Sequence, residues 1–381
     1  MLLDLAELIQ ENNLLCNDPE YKSLFNMLSA GITRIETSIE YLKAKKDRIE
    51  TEDDLSNYIV NACYVLETIK LIMKNLKIES IYKEKNNAEN LADAEDMESY
   101  KFFKEVAIGG PLYIDVAKCP TDNQFFEYFR SLSTMHPADT SRPKFLRERE
   151  ETHYSPFVIV ENTKLGKRVG AQIYSNKSDE ILNLLIPLDQ LNNYINSRFL
   201  QIQNIIDKLK QICKEKEDEW RKEKVKVESN IVDTLKNIKQ ILECRFEDTY
   251  EVDLAIQYLE CELTIKVNSG NVNNYRNEIT NRVQKIVEAV DELDYNRMLE
   301  LLSIVSKPKN LIYKYELEKI FDYLNEESEY VDKYNIALDY AKRIATSFAS
   351  EWVQIDCDKM TPTEIKLLLL TAFYMDENKQ F

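Results

Sequence analysis

The chain has 381 residues, 44% of them hydrophobic, and a formal net charge of −17 at pH 7. This length allows two or three domains, and the hydrophobic content is high enough to form buried cores, which excludes a wholly disordered chain. A uniformly acidic surface repels nucleic acid and anionic membranes, so binding to either would require a local basic patch.

The seven cysteines are scattered and form no C-x-x-C pair, and the chain has only two histidines. This composition argues against a structural zinc site, and we expect neither a metal nor a cofactor. The N-terminal apolar stretch is interrupted by Asp4 and Glu7 and has no basic segment before it, unlike a signal peptide. No apolar run approaches the roughly 20 residues that span a bilayer. We therefore expect a cytoplasmic protein that does not associate with membranes.

The first 79 residues predict helices. Leu2, Leu5, Leu8 and Ile9 form an apolar stripe at helical spacing. Two further helices are predicted over 20–49 and 52–76, and residues 83–98 predict a polar connection.

A shorter helix is predicted to begin at Thr121, because Thr121 and Gln124 have the spacing of a capping box. Pro137 disfavours helical geometry at His136, so this helix should end near that residue.

The predicted helix has an apolar stripe and a polar flank. Its buried stripe consists of Phe125, Phe129 and Leu132, and His136 extends the stripe by one turn. Arg130 lies off this stripe, on the flank that also carries Phe126.

Irregular structure is expected in the middle of the chain, since six of nine prolines and four of six glycines lie between positions 109 and 187. Residues 156–162 and 169–175 predict two strands joined by a polar turn, and 181–188 predict a third.

No glycine or proline occurs from Asp189 to about Val227, so this segment predicts one long helix. Its charged second half is typical of a solvated arm or a coiled-coil partner. Further helices are predicted over 229–245, 250–266, 273–305, 311–326, 328–353 and 362–376.

These elements predict a mainly α fold. Residues 1–200 would form a helical bundle with a small β-hairpin inserted near 156–188. Residues 201–381 would form a helical region for oligomerisation, sensing or partner binding.

Each histidine follows an arginine by six positions, giving the pairs Arg130/His136 and Arg147/His153. A guanidinium binds phosphate oxygens and an imidazole transfers protons near neutral pH, so such a pair suits phosphodiester cleavage without a metal. The spacing alone is a weak signal. A histidine on an apolar stripe equally predicts a hydrogen-bonded core residue.

The local charge also indicates that this region is a binding site. Residues 130–177 contain nine basic and five acidic residues, a basic island within an acidic chain. A polyanion such as RNA would bind there, although the island can also be read as an ordinary solvated loop. The residues expected to contact RNA are Arg142, Lys144, Arg147, Arg149, His153, Lys167 and Arg168.

The segment Phe129–Pro137, FRSLSTMHP, resembles the R-x(4–6)-H signature of HEPN domains. These are α-helical bundles that include many bacterial ribonuclease toxins and antiphage abortive-infection effectors. The stretches Thr140–Arg142 and Tyr154–Phe157 are similar to HEPN-like bacterial proteins as well, and the resemblance covers residues 1–200.

The resemblance implies that Arg130 binds the scissile phosphate and that His136 is the general acid/base. Ser131, Ser133 or Thr134 would assist by hydrogen bonding. A homodimer or higher homo-oligomer would bring two motifs into one cleft, and cleavage would leave a 2′,3′-cyclic phosphate. The family often has Asn, Asp or His directly after the arginine, whereas this chain has Ser131, and the inserted hairpin also departs from a plain bundle.

Of the two pairs, Arg130/His136 begins on an amphipathic helix that can hold it rigidly, as a catalytic group requires. Arg147/His153 lies in an acidic run that we expect to be exposed. We therefore assign catalysis to the first pair. The second either contacts RNA or has no role.

Three hypotheses follow from the sequence. The first is a metal-independent endoribonuclease that acts as a toxin or antiphage effector, with RNA as substrate and a protein partner or phage component as trigger. The second is a non-enzymatic helical interaction or sensor protein of a bacterial defence or toxin–antitoxin system, favoured by the acidic charge and long helices. The third is a nucleic-acid binder without catalytic activity.

Overall fold

The computed structural model describes residues 1–79, 102–103, 122–135, 152–177, 179, 181–325 and 331–379. They form two compact units, Met1–Ile212 and Cys213–Phe381, whereas the sequence placed the boundary at residue 200. The predicted mainly α fold is confirmed, since the described chain is mostly helical, with one small antiparallel sheet followed by long helices. The predicted connection over 83–98 lies outside the described residues.

The first unit has helices before and after its sheet. Its described elements are α1 (Leu2–Gln10), α2 (Asn13–Asn17), α3 (Lys22–Lys45), α4 (Glu52–Asn75), α5 (Asp122–Arg130), β1 (His153–Tyr154), β2 (Val158–Thr163), β3 (Gly166–Ser175), β4 (Leu182–Pro187) and α6 (Leu188–Phe199). The next helix, α7 (Ile202–Trp220), contains the boundary between the units.

Helix α4 forms one wall of the candidate site described below, and a capping box fixes where it begins. The Thr51 hydroxyl accepts a hydrogen bond from the Asp54 N–H, and the Asp54 carboxylate accepts one from the Thr51 N–H. Lys45 Nζ donates to the same carboxylate at 2.7 Å, and these bonds lower the pKa of Asp54 to about 2. Thr51, the residue before the helix, therefore accepts a hydrogen bond from a backbone N–H of the first turn that would otherwise have no partner within the helix.

Strand β3 is central to the sheet and pairs antiparallel with β1, β2 and β4. The three predicted strands are present, and β1 was not predicted. Thr163 pairs with Gly166, so the hairpin turn is tighter than the polar turn predicted from the sequence, and Gly166 adopts a φ of +115° that favours glycine.

Helix α5 buries the stripe predicted for it. Phe125, Phe129 and Leu132 are each at most 2% exposed, and burial of one such side chain contributes about 1.5–3 kcal/mol. The α-helix ends at Arg130, and Ser131–Met135 continue it with π-helical geometry rather than as further α-helix. Single π-helical turns inside helices frequently occur at functional sites. The predicted cap, Thr121 with Gln124, and the predicted end at His136 lie outside what the structure describes.

Hydrogen bonds connect α4 to the π-helical turn that follows α5 and to α6. The Ser56 hydroxyl of α4 donates to the Ser133 carbonyl at 3.3 Å. The Tyr58 hydroxyl donates to Asn192 Oδ1 of α6 at 2.6 Å, and burial raises the pKa of Tyr58 to about 12. Helix α4 is therefore joined by polar contacts both to the turn after α5 and to α6.

The single helix predicted from Asp189 to Val227 is wrong in two places. It breaks between α6 and α7, where the Gln201 and Gln203 N–H groups bond to carbonyls three residues back. It also ends at Trp220, after which the chain runs without helix to Ile231. Tighter i→i−3 bonds interrupt a helix without glycine or proline, so no breaker marked the first position.

The charged segment after Trp220 is not a coiled-coil helix: it has no helical structure up to Ile231, and most of its side chains are exposed to solvent, as predicted, while its backbone is anchored. Val225 is 7% exposed, and its N–H donates to Asp291 Oδ1 at 2.9 Å. The fully buried Arg245 donates to the carbonyls of Trp220 and Glu223 at 2.8 and 3.0 Å. Val225 and these backbone hydrogen bonds therefore attach the segment to the rest of the second unit, to which it belongs.

The second unit continues as helices, and the predicted helix over 273–305 is two helices separated at Leu293, which has a φ of 62°. The described elements of this unit are α8 (Ile231–Cys244), α9 (Tyr250–Glu260), α10 (Ser269–Glu292), α11 (Tyr295–Leu302), α12 (Lys314–Tyr323), α13 (Val331–Thr346) and α14 (Pro362–Lys379). Helix α14 is buried from Glu364 to Phe373, so its leucine run belongs to the core of this unit.

None of the helices in the described part of the chain combines the length and the apolar character that crossing a bilayer requires.

Candidate functional site

Arg130 lies on the wall of a cavity of about 550 Å³ in the first unit, which we name the α4–α6 cavity. Three helices and the ends that follow them form it. Its lining residues are Leu66, Glu67, Ile69, Lys70, Met73, Lys74, Ile78, Glu79, Asn123, Phe126, Glu127, Arg130, Tyr194, Arg198 and Gln201. The volume lies within the range typical of small-molecule sites.

The cavity has a buried floor and a solvent-exposed rim. Ile69, Met73, Phe126, Tyr194 and Gln201 are buried, and they come from α4, α5, α6 and the break between α6 and α7. Glu67, Lys70, Lys74, Glu79 and Glu127 are exposed. The cavity is therefore open to solvent at its charged edge.

Helix α5 contributes one face to the wall. Asn123, Phe126, Glu127 and Arg130 recur at intervals of three or four residues, so they lie on the same side of the helix. The sequence placed Arg130 and Phe126 on a shared flank, and this prediction is confirmed. Asn123 and Arg130 are separated by about 10 Å of helix.

The guanidinium of Arg130 is held loosely by α4. Its Nη1 lies 3.6 Å from Glu67 Oε1, and the two side chains are 31% and 57% exposed. The Cys63 thiol lies close by: burial raises the pKa of Cys63, and the positive charge of Arg130 partly opposes that rise. An exposed ion pair at this distance contributes about 0–1 kcal/mol, so an incoming anion can replace Glu67.

Arg198 is fixed more firmly at the far end of the α5 face. Its Nη2 and Nε donate to Asn123 Oδ1 at 2.6 and 3.2 Å, and its Cζ lies 4.1 Å from the centroid of the Tyr194 ring. The Tyr194 hydroxyl donates to the same oxygen at 2.8 Å. This network orders a cation that is only 7% exposed.

The lining carries a local excess of positive charge. Lys70, Lys74, Arg130 and Arg198 are cationic, while Glu67, Glu79 and Glu127 are anionic, a balance that differs in sign from the net charge of −17. The α4–α6 cavity is therefore a place where this acidic protein can accommodate an anion.

Gln201 contributes an unusual polar group. The residue is 5% exposed, and its Oε1 is buried without a hydrogen-bond partner. An unsatisfied buried acceptor is costly, and each such case in a folded protein requires an explanation. Less than 1 Å² of this oxygen is accessible, so a ligand in the cavity does not reach it, although other atoms of Gln201 line the cavity.

The predicted supporting residues are placed in the π-helical turn. The Thr134 hydroxyl donates to the Arg130 carbonyl at 2.8 Å. Ser133 is 5% exposed, and its Oγ is buried without a hydrogen-bond partner. Neither of these residues nor Ser131 is among the lining residues of the cavity. Their assistance to catalysis stays a prediction.

Several predicted site residues lie outside the part of the chain that the structure describes. They are His136, Arg142, Lys144, Arg147 and Arg149. The described chain does contain Met135, which directly precedes His136.

His153 is not in an exposed run, and that expectation is wrong. It lies in β1, is 4% exposed, and its Nδ1 is 2.6 Å from the Tyr128 hydroxyl of α5. Burial of the imidazole between the sheet and α5 is not compatible with direct contact to RNA. The structure therefore assigns this side chain to the hydrogen-bonded core.

Lys167 and Arg168 lie in β3 and are partly buried. Lys167 Nζ donates to the Ile49 carbonyl at 2.6 Å, and Arg168 Nη2 donates to the Leu185 carbonyl at 3.3 Å. Neither residue lines the α4–α6 cavity. These contacts attach the hairpin to its neighbours, and RNA binding by these two residues stays a prediction.

Across the described ranges there is no group of three or more His, Cys, Asp or Glu side chains that could hold a metal ion.

Tyr194, Arg198 and Gln201, which share the cavity with Arg130, were not predicted from the sequence as site residues. One signal was present: Leu188, Leu191, Tyr194 and Arg198 follow one another at helical spacing, so an arginine occupies an apolar stripe. An arginine on a buried face needs polar partners, and this could have marked α6 as part of a polar site.

Comparison with known proteins gives no match: no family model matches this chain, and neither a curated protein nor a solved structure is significantly similar to it.

Proposed function

We propose that this protein is a metal-independent endoribonuclease of the HEPN-like type, acting in the cytoplasm as a toxin or antiphage effector. The observation that supports this most is the position of Arg130. The arginine of the R-x5-H motif lies half-buried on the wall of a cavity lined by four cationic and three anionic side chains, in a chain with a net charge of −17.

The proposed chemistry uses the two residues of the motif. Arg130 binds the non-bridging oxygens of the scissile phosphate and stabilises the charge that grows on them. The 2′-hydroxyl oxygen attacks the adjacent phosphorus, the bond from phosphorus to the 5′ oxygen breaks, and a 2′,3′-cyclic phosphate and a 5′-hydroxyl remain. His136 serves as general acid/base for the proton leaving the 2′-hydroxyl or the proton reaching the 5′ oxygen.

The weak contact with Glu67 suits this role. In the absence of RNA the carboxylate partly neutralises Arg130, and a phosphate that forms two charge-assisted hydrogen bonds with the guanidinium replaces it. Two motifs in a dimer would supply two imidazoles, one for each proton transfer.

The test is RNA cleavage by purified protein in the presence of EDTA. We expect His136→Ala to lose at least about 100-fold in rate, since general acid/base catalysis is worth that much. Arg130→Lys should also lose most of its activity, because lysine does not reproduce the two-pronged contact with phosphate. Arg221→Lys, a matched change at an exposed arginine of the second unit, should be as active as wild type.

Thermal melting shows whether each variant is folded. Full activity in folded His136→Ala would overturn the proposal. Absence of cleavage by the wild-type protein under every condition in which it binds RNA would favour the non-enzymatic interaction or binding protein.

A further inference from the structure

The connection between α11 and α12 presents apolar side chains and lysines together at the surface of the second unit. Leu311 is 92% exposed, Ile312 is 80% exposed, and Tyr315 in the first turn of α12 is 57% exposed. We infer that this surface, which we name the α11–α12 tip, binds an anionic lipid bilayer by inserting Leu311 and Ile312 among the lipid headgroups. The tip consists of Lys307, Lys309, Leu311, Ile312, Lys314 and Tyr315.

The loop that carries the two aliphatic side chains is fixed by its own contacts. Asn310 Oδ1 accepts hydrogen bonds from the N–H groups of Ile312 and Tyr313 at 2.9 and 3.1 Å, which forms the turn that asparagine favours. The Tyr313 ring packs on the rings of Phe348 and Phe373, with centroid distances of 5.8 and 6.3 Å. Because the loop is already ordered, insertion of its apolar side chains would cost little conformational entropy.

The exposed apolar surface continues from the loop onto α12 and α13. The Tyr315 ring lies 5.7 Å from the ring of Tyr340 on α13. Ile336, one helical turn before Tyr340, is 47% exposed. Single apolar side chains at a surface need no explanation, whereas a group of neighbouring ones marks an interaction site.

The lysines give the tip a charge opposite to that of an anionic membrane. The sequence over 301–315 contains three lysines and no acidic residue, and Lys309 and Lys314 are exposed. Lys307 Nζ lies 3.9 Å from Glu318 Oε1, a partly exposed ion pair that is weak, and Glu316 also follows on α12. The average charge of the chain predicts repulsion from membranes, but the tip supplies the local basic patch that such binding requires.

The shape and chemistry of the tip favour a bilayer over a protein or an RNA. A protein partner would need a pocket that encloses two protruding aliphatic side chains, whereas a bilayer accommodates them without a complementary shape. Aliphatic side chains also offer no aromatic face on which bases could stack. At a membrane surface, leucine and isoleucine reach the boundary of the acyl chains while lysine side chains extend to the headgroups.

The experiment measures sedimentation of the full-length protein with lipid vesicles. One set of vesicles contains phosphatidylcholine alone, and the other contains two parts of phosphatidylcholine to one part of phosphatidylglycerol. We expect binding to the anionic vesicles to be at least about tenfold tighter than binding to the neutral ones, and to weaken as the salt concentration rises.

Leu311→Ser tests the insertion of an apolar side chain. We expect its affinity for the anionic vesicles to fall at least about fivefold, because serine gains little from leaving water. The melting temperature should not change, since Leu311 is almost fully exposed in the folded protein. Val267→Ser, at another exposed aliphatic residue of the second unit, is the matched control and should bind like wild type.

Lys314→Gln tests the charge of the tip. We expect its affinity for the anionic vesicles to fall about fivefold, which is the contribution of one lysine at an anionic surface. Its affinity for the neutral vesicles should be unchanged. Lys285→Gln removes an exposed lysine of α10 and is the matched control.

Absence of binding to the anionic vesicles, equal binding to both kinds, or an unchanged affinity in folded Leu311→Ser would overturn the inference. A dimer that Leu311→Ser dissociates, together with no vesicle binding, would assign the tip to a second copy of this chain and would overturn it as well. The experiment contains no RNA, so its result does not depend on the ribonuclease proposal.

Discussion

Arg130 is an arginine with a replaceable partner. A structural arginine in this chain looks different: Arg245 is fully buried and donates to three backbone carbonyls. Arg130 instead faces a carboxylate at 3.6 Å, with both side chains partly exposed. That difference is what one expects if Arg130 must release its partner to bind a ligand, because an exposed ion pair is easily exchanged.

Glu67 should therefore compete with RNA. We expect Glu67→Gln to strengthen binding of a 2′-O-methyl RNA about two- to fivefold, because the change frees Arg130 and removes a charge that repels phosphate. Glu40→Gln removes an exposed carboxylate of α3 that does not line the cavity and serves as the control. Fluorescence anisotropy at fixed ionic strength measures both. Weaker binding by Glu67→Gln, or an equal gain in both variants, would contradict this role.

Lys366, in the second unit, should make the free energy of unfolding depend on pH. It is 7% exposed, its Nζ donates to the Phe321 carbonyl and Asn325 Oδ1, and burial lowers its pKa to about 8. The unfolded chain keeps this lysine charged up to its ordinary pKa of about 10.4. Between these values the unfolded state binds more protons, so the contribution of Lys366 to the free energy of unfolding increases with pH.

Burial also raises the pKa of Cys357 to about 11. Above the ordinary pKa of a thiol, this shift lowers the free energy of unfolding as pH rises, which opposes the effect of Lys366. The comparison must therefore be with Lys366→Met. We expect the difference in the free energy of unfolding between the wild type and this variant to increase by about 2–3 kcal/mol, in favour of the wild type, from pH 8 to pH 10. Urea denaturation measures it, with exposed Lys379→Met as control. A constant difference across this range would show that Lys366 is not neutralised by folding.

At the scale of elements, the sheet depends on a close approach at Gly170. A Cβ added there would lie 1.7 Å from the Leu184 carbonyl oxygen of β4. Gly170→Ala must push β3 and β4 apart, and we expect a loss of about 3 kcal/mol or more in the free energy of unfolding.

Gly270→Ala is the matched control, because nothing lies within 4 Å of its added Cβ. Near the start of α10 it should be neutral or stabilising by about 0.4–1 kcal/mol. Chemical denaturation of both variants tests the register of the sheet. Similar stability of Gly170→Ala and wild type would mean that β3 and β4 do not pair as described.

The sequence predicted those elements whose local pattern agrees with their packing. The stripe of Phe125, Phe129 and Leu132 and the strands around the hairpin are examples, because the period of apolar residues alone determines which face is buried. The break after α6 could not be predicted. It consists of a change from i→i−4 to i→i−3 hydrogen bonds at Gln201 and needs no breaker residue.

The site was predictable only in part, because local patterns mark Arg130 but not the residues that tertiary packing brings to it. The chemistry of Arg130 and its flank with Phe126 follow from the motif and the helical period. Gln201 and Arg198 join it through tertiary packing, about 70 residues further along the chain. Asn123, which accepts hydrogen bonds from Arg198 and Tyr194, connects the two segments, and no sequence pattern marks that contact.

At the scale of the whole molecule, the proposed dimer is a separate prediction. We expect light scattering to give a mass of twice 44.8 kDa. If two motifs form one cleft, equal mixing of inactive Arg130→Ala and His136→Ala protein should restore part of the cleavage activity through mixed dimers. A monomeric mass with full activity would contradict the composite cleft.

We propose above all that this acidic helical protein cleaves RNA with an arginine and a histidine of its own. The most direct measurement is mass spectrometry of the ends produced from a single-stranded RNA incubated with the wild-type protein in EDTA. We expect fragments that end in a 2′,3′-cyclic phosphate and begin with a 5′-hydroxyl, and we expect none with His136→Ala. Fragments with 5′-phosphates, or cleavage that stops when EDTA is added, would contradict it.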